Sequence, residues 1–462
     1  AGVLALALMG CGDTKARDTS HILEDRSDAH DWTAGGVPSE AIPEVRDQQS
    51  RRAIVHLHSP WSHDACDGEP LIDGVPDADC LADLRRGLCD AEIDVAWLTD
   101  HPSHAADQDY EQRMHITEDD EVVMVDGREA AVRWRCADGT SVLIRPGYED
   151  ELMPIGMTKE MHSDPEIRSV LANSDSADAI QAMLGTGALV AVAHTEGRDP
   201  EWLARVVADG VGAIELFNLH AAFDPSIRQD DLGLDGLGWA QGLAPFLDAT
   251  SGVEPDLLVL NVLAEQGPSL ERWDTLLAAG HAVVATVGTD AHQNVLPGIL
   301  PDGERGDSYR RMLRWLSQHI RVGPGLDADD PGVLQSALAA GHFFVVFEVL
   351  GTPAAFDLYL DTDSGRRIEM GGEGTAGTLH VDCPRLATGS PRSERVPEIS
   401  VTIFKNGAEW AQGCGDFPTD GAGAYRVRAD IVPHHLDRFL GADAESFMHP
   451  WPWVYSQAIR VQ

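Results

Sequence analysis

Residues 53–64 read Ala-Ile-Val-His-Leu-His-Ser-Pro-Trp-Ser-His-Asp, a short apolar run that passes directly into histidines. Short apolar runs bounded by polar residues are typical of buried strands. In an extended chain, residues i and i+2 point to the same side, so the imidazoles of His56 and His58 can reach one metal ion. This stretch therefore predicts a strand that ends in a pair of metal ligands.

The same pattern recurs along the next 240 residues, because four more predicted strands run into polar side chains. They are 95–98 before Thr99-Asp100-His101, 143–144 before Gly147-Tyr148-Glu149, 188–193 before His194, and 282–287 before Gly288-Thr289-Asp290-Ala291-His292. Predicted helices at 79–88, 176–184, 200–210 and 270–279 alternate with these strands. Such alternation predicts an α/β fold with parallel strands, either an open doubly wound sheet or a closed barrel. Both shapes place chemistry at the C-terminal ends of the strands.

The last 120 residues show a different pattern, in which predicted strands follow one another closely. Predicted strands lie at 343–349, 356–360, 378–381, 399–404 and 425–431, and Asn406-Gly407 is a hairpin signal. We therefore divide the chain into an α/β domain at 52–340 and an antiparallel β-sandwich-like domain at 341–462.

The first 51 residues predict a processing signal and a tether. An apolar run at 2–8, too short to span a bilayer, leads into Leu8-Met9-Gly10-Cys11, which fits a bacterial lipobox. A fragment of an ordinary signal or a buried strand is the alternative interpretation. Residues 12–51 are polar and predict a flexible tether after the 1–11 signal remnant. We expect a lipid on Cys11 to hold the protein in the bacterial cell envelope, in the periplasm or at the outer membrane.

The net charge indicates which binding partners to expect, and the cysteine content indicates the cellular compartment. Lys and Arg number 34 against 76 Asp and Glu, a net charge of −42, which repels phosphate backbones and anionic lipid. We expect no nucleic-acid partner and no membrane contact beyond Cys11. Without Cys11, six of the seven cysteines remain, an even number that suits an oxidising compartment. Pairing stays open, although Cys66 with Cys80 would close a short loop and Cys383 with Cys414 would lie in one domain.

The residues at the strand ends suit metal ions. Neutral imidazole and carboxylate bind Zn, Mn or Fe, and roughly nine such ligands exceed the needs of one ion, so they imply two or three divalent ions. A water bound to these ions has a lowered pKa and would attack a phosphoryl or acyl centre.

Taken together, the motifs His56-x-His58-Ser59, Thr99-Asp100-His101, Gly147-Tyr148-Glu149, Ala193-His194 and Gly288-Thr289-Asp290-Ala291-His292 resemble the PHP (polymerase and histidinol phosphatase) superfamily over about residues 52–295. Within it, the chain most resembles the extracytoplasmic carbaryl-hydrolase-like (CehA/McbA-type) branch. That branch is also similar in its β-rich C-terminal region and in an ending like Pro452-Trp453-Val454-Tyr455-Ser456. The resemblance implies a distorted (β/α)7 barrel with a di- or trinuclear metal centre.

The resemblance also assigns roles to individual positions. Either His63 or Asp64 fills the family's next ligand position, and Asp64 is preferred by spacing. His162 follows Glu149 after a longer gap than the family pattern has. The implied metal ligands are His56, His58, Asp64, His101, Glu149, His162, His194, Asp290 and His292. Asp64, His63 or Asp290 would shuttle a proton, and Asp100 would orient a ligand.

These features predict an enzyme that hydrolyses a phosphoester or related ester of a small molecule. One alternative is an amidohydrolase-like enzyme acting on a carboxylester or carbamate, but Thr99-Asp100-His101 and the closing Asp290-x-His292 favour PHP. Another is a surface lipoprotein that binds metal without turnover. Glu215 and Asn218 are further candidates, either for shaping the pocket or for a structural role, and His220 is a candidate for an extra polar contact. The cluster Arg305, Arg310 and Arg311 is expected on a solvated helix face.

Overall fold

The computed structural model describes residues 32–33, 35–391 and 393–462, and Thr33–Gln462 form one compact unit. Cys11, the signal remnant and the first part of the predicted tether lie outside the described residues. Across the described part of the chain, no helix has the length and apolar character needed to cross a membrane.

Strands make up much of this unit. They are β1 (Gln49–Ile54), β2 (Leu71–Ile72), β3 (Val75–Pro76), β4 (Val95–Leu98), β5 (Glu121–Val125), β6 (Arg128–Arg135), β7 (Ser141–Pro146), β8 (Leu152–Ile155), β9 (Leu189–Val192), β10 (Ala213–Asn218), β11 (Val284–Gly288), β12 (Ser317–Val322), β13 (Phe343–Val346), β14 (Pro353–Ala354), β15 (Asp357–Thr362), β16 (Arg367–Glu369), β17 (Glu373–Gly374), β18 (Gly377–Asp382), β19 (Arg385–Leu386), β20 (Glu398–Lys405), β21 (Ala408–Gln412), β22 (Gly415–Pro418), β23 (Gly423–Val432), β24 (Trp451–Ser456) and β25 (Ile459–Val461).

Most helices lie between the strands of the first 340 residues. The α-helices are α1 (Ala78–Asp90), α2 (Pro102–Ala105), α3 (Pro165–Ala172), α4 (Ala177–Leu184), α5 (Pro200–Asp209), α6 (Leu219–Phe223), α7 (Pro225–Asp230), α8 (Ala244–Leu247), α9 (Gly267–Ala278), α10 (Tyr309–Trp315) and α11 (Pro331–Ala340). Short 3-10 helices occupy Ser39–Ala41, Cys66–Gly68, Gln112–Met114, Thr195–Gly197, Gly238–Leu243, Pro255–Asn261, Glu348–Leu350, His434–Phe439 and Gly441–Phe447.

Local sequence explains why these elements begin and end where they do. Asp199 starts α5 by accepting hydrogen bonds from the backbone N–H groups of Glu201 and Trp202, and Pro200 fits the first helical position. The helix ends at Gly210, whose φ of 122° suits glycine. Strands β4 and β9 are apolar and buried at every position, as expected for strands covered on both faces.

Two sheets carry the strand ends that the sequence singled out, which makes the fold mixed α/β. In the larger sheet, β1, β4 and β7 are parallel neighbours, and β12 is antiparallel to β1. In a four-stranded sheet, β9, β10 and β11 are parallel, and β8 is antiparallel to β9. A parallel bridge between Leu57 and Ala291 joins the two sheets just beyond β1 and β11. The C-terminal ends of these six parallel strands therefore lie at one edge.

The β-rich region after residue 340 does not stand apart from the rest. Strand β13 pairs with β12 on one side and with β24 on the other, so the larger sheet continues into the C-terminal region. A separate antiparallel sheet has the order β16-β15-β18-β22, and β20 and β21 form the hairpin predicted around Asn406-Gly407. Backbone hydrogen bonds thus cross the boundary that the sequence placed at 340.

Ordered structure also begins before residue 51, where the predicted tether ends. Val37 and Ile42 are buried against Ala354 and Ala387. Strand β1 starts at Gln49, and Ser39 Oγ donates a hydrogen bond to Asp94 Oδ2. Two apolar side chains in this otherwise polar segment therefore pack against the rest of the unit.

Disulfides join Cys66 to Cys80, Cys89 to Cys136, and Cys383 to Cys414. The two pairings singled out in the sequence are thus present, and all six cysteines other than Cys11 are paired.

Candidate metal centre

Imidazoles and carboxylates from five strand ends converge at the shared edge of the two sheets. The contributing segments follow β1 (His56 and His58), β4 (His101), β7 (Glu149), β9 (His194) and β11 (Asp290 and His292), and Asp64 joins them from the loop after β1. The convergence follows from parallel pairing, because parallel strands end at the same side of a sheet.

Asp290 lies at the middle of the cluster. Its Oδ1 is 3.1 Å from His58 Nε2, 3.2 Å from His292 Nε2 and 3.4 Å from His56 Nε2. Its Oδ2 is 3.3 Å from His194 Nε2. Two ligands about 2.1 Å from one ion in tetrahedral geometry lie about 3.4 Å apart. The spacing around Asp290 therefore fits atoms that share metal ions.

Two further carboxylates, those of Asp64 and Glu149, contact the imidazoles of the cluster. Asp64 Oδ2 lies 3.2 Å from His292 Nε2 and 3.3 Å from His101 Nε2. Glu149 Oε2 lies 2.8 Å from His101 Nδ1, and its Oε1 lies 3.6 Å from His194 Nε2. Together with Asp290, these carboxylates supply three negative charges to a site lined by imidazoles.

Four overlapping sets of side chains bring their ligand atoms within 4.8 Å of one another and could each hold a metal ion. The sets are His58, Asp64, His101 and His292; His56, His194 and Asp290; His56, His58 and Glu149; and His220, Asp290 and His292. His292 Nε2 is buried, and no described residue makes a well-directed hydrogen bond to it. An imidazole nitrogen in that position is suited to a cation, so the donor set fits metal.

The electrostatics of the metal-free cluster set different protonation states for different ligands. Burial lowers the pKa values of His56 and His194, but the carboxylates beside them outweigh burial and raise these pKa values to about 9 and about 10, so a bound ion would displace a proton from each ring. Burial raises the pKa of the Glu149 carboxyl, but the adjacent His101 outweighs burial and lowers this pKa to about 2. Burial lowers the pKa of His58 to about 3, and the neighbouring His292 adds to the effect. Glu149 is therefore ionised and His58 neutral at pH 7, as coordination requires.

Hydrogen bonds from behind the cluster fix the ligands in place. His56 Nδ1 lies 2.7 Å from Glu215 Oε1, and His58 Nδ1 lies 3.0 Å from Ser62 Oγ. Ser62 Oγ also donates to Asp64 Oδ1 at 2.9 Å. Such partners select the tautomer of each imidazole and hold its ring plane.

The predicted residues His162, His63 and Asp100 stand outside these sets. His162 is exposed on the chain that leaves β8, and its Nδ1 accepts the backbone N–H of Asp164 beside α3, so the fold does not bring it to the cluster. His63 is also exposed, with its ring centroid 4.9 Å from that of His101, at the mouth of the site. Asp100 is buried and accepts hydrogen bonds from the backbone N–H and the hydroxyl of Ser59, so it orients the first loop.

His220 takes a place in the cluster that sequence reasoning did not give it. It follows β10, and its Nδ1 lies 3.7 Å from Asp290 Oδ2. The signal was present, because β10 ends in Asn218-Leu219-His220 much as the other parallel strands end in polar residues.

The three arginines expected on a solvated helix face are instead held in ion pairs. Arg310 and Arg311 are buried on α10, and both pair with Asp256. Arg305 pairs with Asp67 and Asp307. The expectation of solvation was wrong because the fold brings acidic partners to these arginines, and two of the partners, Asp256 and Asp67, lie far from them in sequence.

Comparison with known proteins adds little to this geometry. No protein-family model and no curated protein matches the chain. One solved structure, PsfC from Pseudomonas syringae, is similar at 15% sequence identity, with a TM-score of 0.31, over 62% of this chain and 88% of that one.

Proposed function

We propose that this protein is a metal-dependent hydrolase of the PHP superfamily, in the carbaryl-hydrolase-like branch, that cleaves a phosphoester or related ester of a small molecule. The convergence of His56, His101, Glu149, His194 and Asp290 from five separate strand ends supports the proposal. An accidental arrangement would have to bury this many titratable groups together without gain, which is costly.

We further propose that the two sheets belong to one distorted (β/α)7 barrel. The bridge between Leu57 and Ala291 supports closure on one side. Gln318 Nε2 of β12 donates a hydrogen bond to Val287 O of β11, which adds a second link between the sheets.

Two or three Zn, Mn or Fe ions held by this ligand set would lower the pKa of coordinated water and stabilise negative charge on the substrate. The mouth of the site is formed by His101, His194, His220 and Asp64, whose side chains are each between a fifth and a third exposed. A substrate would enter there. His63 lies beside His101 on this open side, and we propose that it gives a proton to the leaving group.

The test combines metal analysis with a substrate panel. Purified protein is assayed for bound metal and for hydrolysis of phosphomonoesters, phosphodiesters, aryl esters and carbamates. We expect His58→Ala and Asp290→Ala each to lower the number of bound ions and to lower kcat by about 100-fold, because each removes a ligand that two of the four sets share. Activity that survives these substitutions would refute the metal mechanism. Tight metal binding without turnover on the whole panel would favour the non-catalytic alternative.

We also propose that the protein works in an oxidising extracytoplasmic compartment, anchored through a lipid on Cys11. The three disulfides support the compartment, since such bonds persist in exported proteins. Mass spectrometry of the N-terminal peptide from the native membrane fraction tests the anchor.

A further inference from the structure

Glu215 lies on β10, directly behind the cluster, and is almost completely buried, at 1% exposure. Its Oε1 is 2.7 Å from His56 Nδ1, and its Oε2 accepts the backbone N–H of His194 at 3.0 Å. A single carboxylate thus reaches two candidate ligands that are 138 residues apart in sequence.

Asn218 extends the contact to a third ligand. Its Nδ2 donates to Glu215 Oε2 at 3.1 Å and to Asp290 Oδ2 at 3.0 Å. The amide is itself fixed, because Asn218 Oδ1 accepts the backbone N–H of Ala221 at 2.8 Å. His56, His194 and Asp290, which form one of the four candidate metal sets, are therefore all tied to Glu215.

A carboxylate can only accept hydrogen bonds, so Glu215 determines which atom of each partner carries the proton. Ionised Glu215 accepts on both oxygens and donates on neither. It therefore requires His56 Nδ1 to carry the ring proton, which leaves the lone pair of His56 Nε2 on the side of Asp290. This is the tautomer that binds a cation.

The backbone around Glu215 leaves room for this carboxylate and little else. A Cβ added at Gly288 would lie 1.9 Å from Glu215 Oε1 and 3.0 Å from His56 Cβ. Each hydrogen bond that the described residues make to the carboxylate comes from His56, His194 or Asn218, so no Lys or Arg side chain supplies one. A buried carboxylate with no such partner is costly unless positive charge lies close by, and cations at the centre would supply it.

We infer that Glu215 is the positioning residue of the His56–His194–Asp290 subsite and sets its affinity for a divalent cation, an inference that rests on the proposed function. Gln at this position has one acceptor oxygen and one NH₂ group. If the oxygen keeps the hydrogen bonds from His194 N and Asn218 Nδ2, the NH₂ group faces His56 Nδ1. The ring proton of His56 must then move to Nε2, where it blocks coordination.

The experiment compares wild type with Glu215→Gln by equilibrium dialysis against buffered Zn²⁺ and Mn²⁺, with bound metal counted by mass spectrometry. We expect one ion to bind about 10- to 100-fold more weakly in the variant. The visible absorption of the Co²⁺-loaded protein should change in the same variant. Circular dichroism of both metal-free proteins shows whether the fold is kept.

Two further variants make the result decisive. Gly288→Ala keeps the carboxylate but crowds it, and should reproduce the weaker binding even if Glu215→Gln does not fold. Glu265→Gln is the matched control, since Glu265 also accepts two hydrogen bonds, from Arg428 and Tyr455, but contacts no candidate ligand. It should bind metal as wild type does.

Each outcome bears on a different claim. A wild-type protein that takes up no metal overturns both this inference and the proposed function. This inference alone is overturned if wild type binds metal and Glu215→Gln shows the same metal uptake and the same Co²⁺ absorption. If Glu215→Gln does not fold, the same result in Gly288→Ala overturns it.

Discussion

A histidine that follows a strand is not necessarily a metal ligand, because the direction of the strand determines whether its imidazole reaches the cluster. His162 and His220 illustrate this, since each follows a strand of the same four-stranded sheet. Strand β8, before His162, is antiparallel to β9, so its C-terminal end points away from the edge where the parallel strands end. Strand β10, before His220, is parallel to both neighbours, so its end delivers the imidazole to the cluster.

We therefore predict that one of two histidine substitutions weakens metal binding and that the other does not. His220→Ala should weaken binding of one metal ion by about 10-fold or more, because it removes a donor beside Asp290. His162→Ala should leave metal affinity unchanged and should alter stability by no more than about 0.5 kcal/mol, as exposed substitutions usually do. Titration calorimetry with Zn²⁺ on both proteins measures the difference. Equal loss in both variants would show that His162 is a ligand after all.

At the scale of elements, the loop after β1 is clamped against the loop after β11. Cys66 N donates to His292 O at 2.8 Å, and Asp67 N donates to Gln293 O at 2.9 Å. The disulfide from Cys66 to Cys80 ties the same loop to α1. This clamp fixes the position of Asp64, which lies on the loop two residues before Cys66.

Two of the three disulfides should therefore differ in what their removal does. Replacing Cys66 and Cys80 by Ser should weaken metal binding, because the loop that carries Asp64 becomes mobile. Replacing Cys89 and Cys136, 47 residues apart, should lower the free energy of unfolding by about 4 kcal/mol on the chain-entropy estimate and leave metal affinity unchanged. Denaturant unfolding and metal dialysis on the two double variants separate these effects. The prediction is wrong if the Cys89–Cys136 pair changes metal affinity more than the Cys66–Cys80 pair.

Elements with a clear apolar pattern could be predicted from the sequence, and elements stabilised by distant polar partners could not. Strand β4 was predicted at 95–98 and lies there, because it is apolar throughout. Strand β12 was missed, since its sequence, Ser-Gln-His-Ile-Arg-Val, has four polar side chains that are nevertheless buried. Their burial depends on partners such as Glu348, which hydrogen-bonds His319 at 2.6 Å. Sequence spacing alone does not reveal such a partner.

Residues of the candidate site likewise fall into those that the sequence could predict and those that it could not. Ligands that directly follow apolar strands were predicted, because strand direction places them. The sequence marks Glu215 only as a candidate for shaping the pocket, and its contacts with His56, His194 and Asn218 emerge only from the folded structure.

At the scale of the whole molecule, Glu348 links both halves of the chain. Its carboxylate pairs with Arg52 of β1 at 3.0 Å and with His319 of β12 at 2.6 Å, and it accepts a hydrogen bond from Thr352 at 2.7 Å. Burial raises the pKa of Glu348, but Arg52 and His319 outweigh burial and hold this pKa well below its ordinary value of 4.5.

This shift gives a pH dependence of known sign. Because the folded-state pKa is depressed, ionised Glu348 stabilises the fold above its unfolded-state pKa, and the stabilisation is lost as pH falls below about 4.5. We expect Glu348→Gln to lower the free energy of unfolding by about 3–5 kcal/mol at pH 7, since Arg52 is left buried without its charge partner. The gap between the two proteins should narrow steadily on acidification. Urea unfolding at pH 7, 5, 4 and 3 measures it, and a gap that is constant with pH would contradict the charge argument.

The C-terminal strands contact the strands that carry the site. Strand β13 covers the edge of β12, and Gln457 exchanges two hydrogen bonds with the backbone of Ala285 in β11, at 2.8 and 2.7 Å. A chain that ends at residue 340 loses both contacts and exposes the edge of β12, which invites aggregation. We therefore predict that residues 33–340 alone show no cooperative thermal unfolding and bind no metal, although the candidate ligands are all present. Calorimetry of the truncated chain beside the full one measures this, and a truncated chain that unfolds cooperatively with full metal uptake would show that the α/β part is an independent domain.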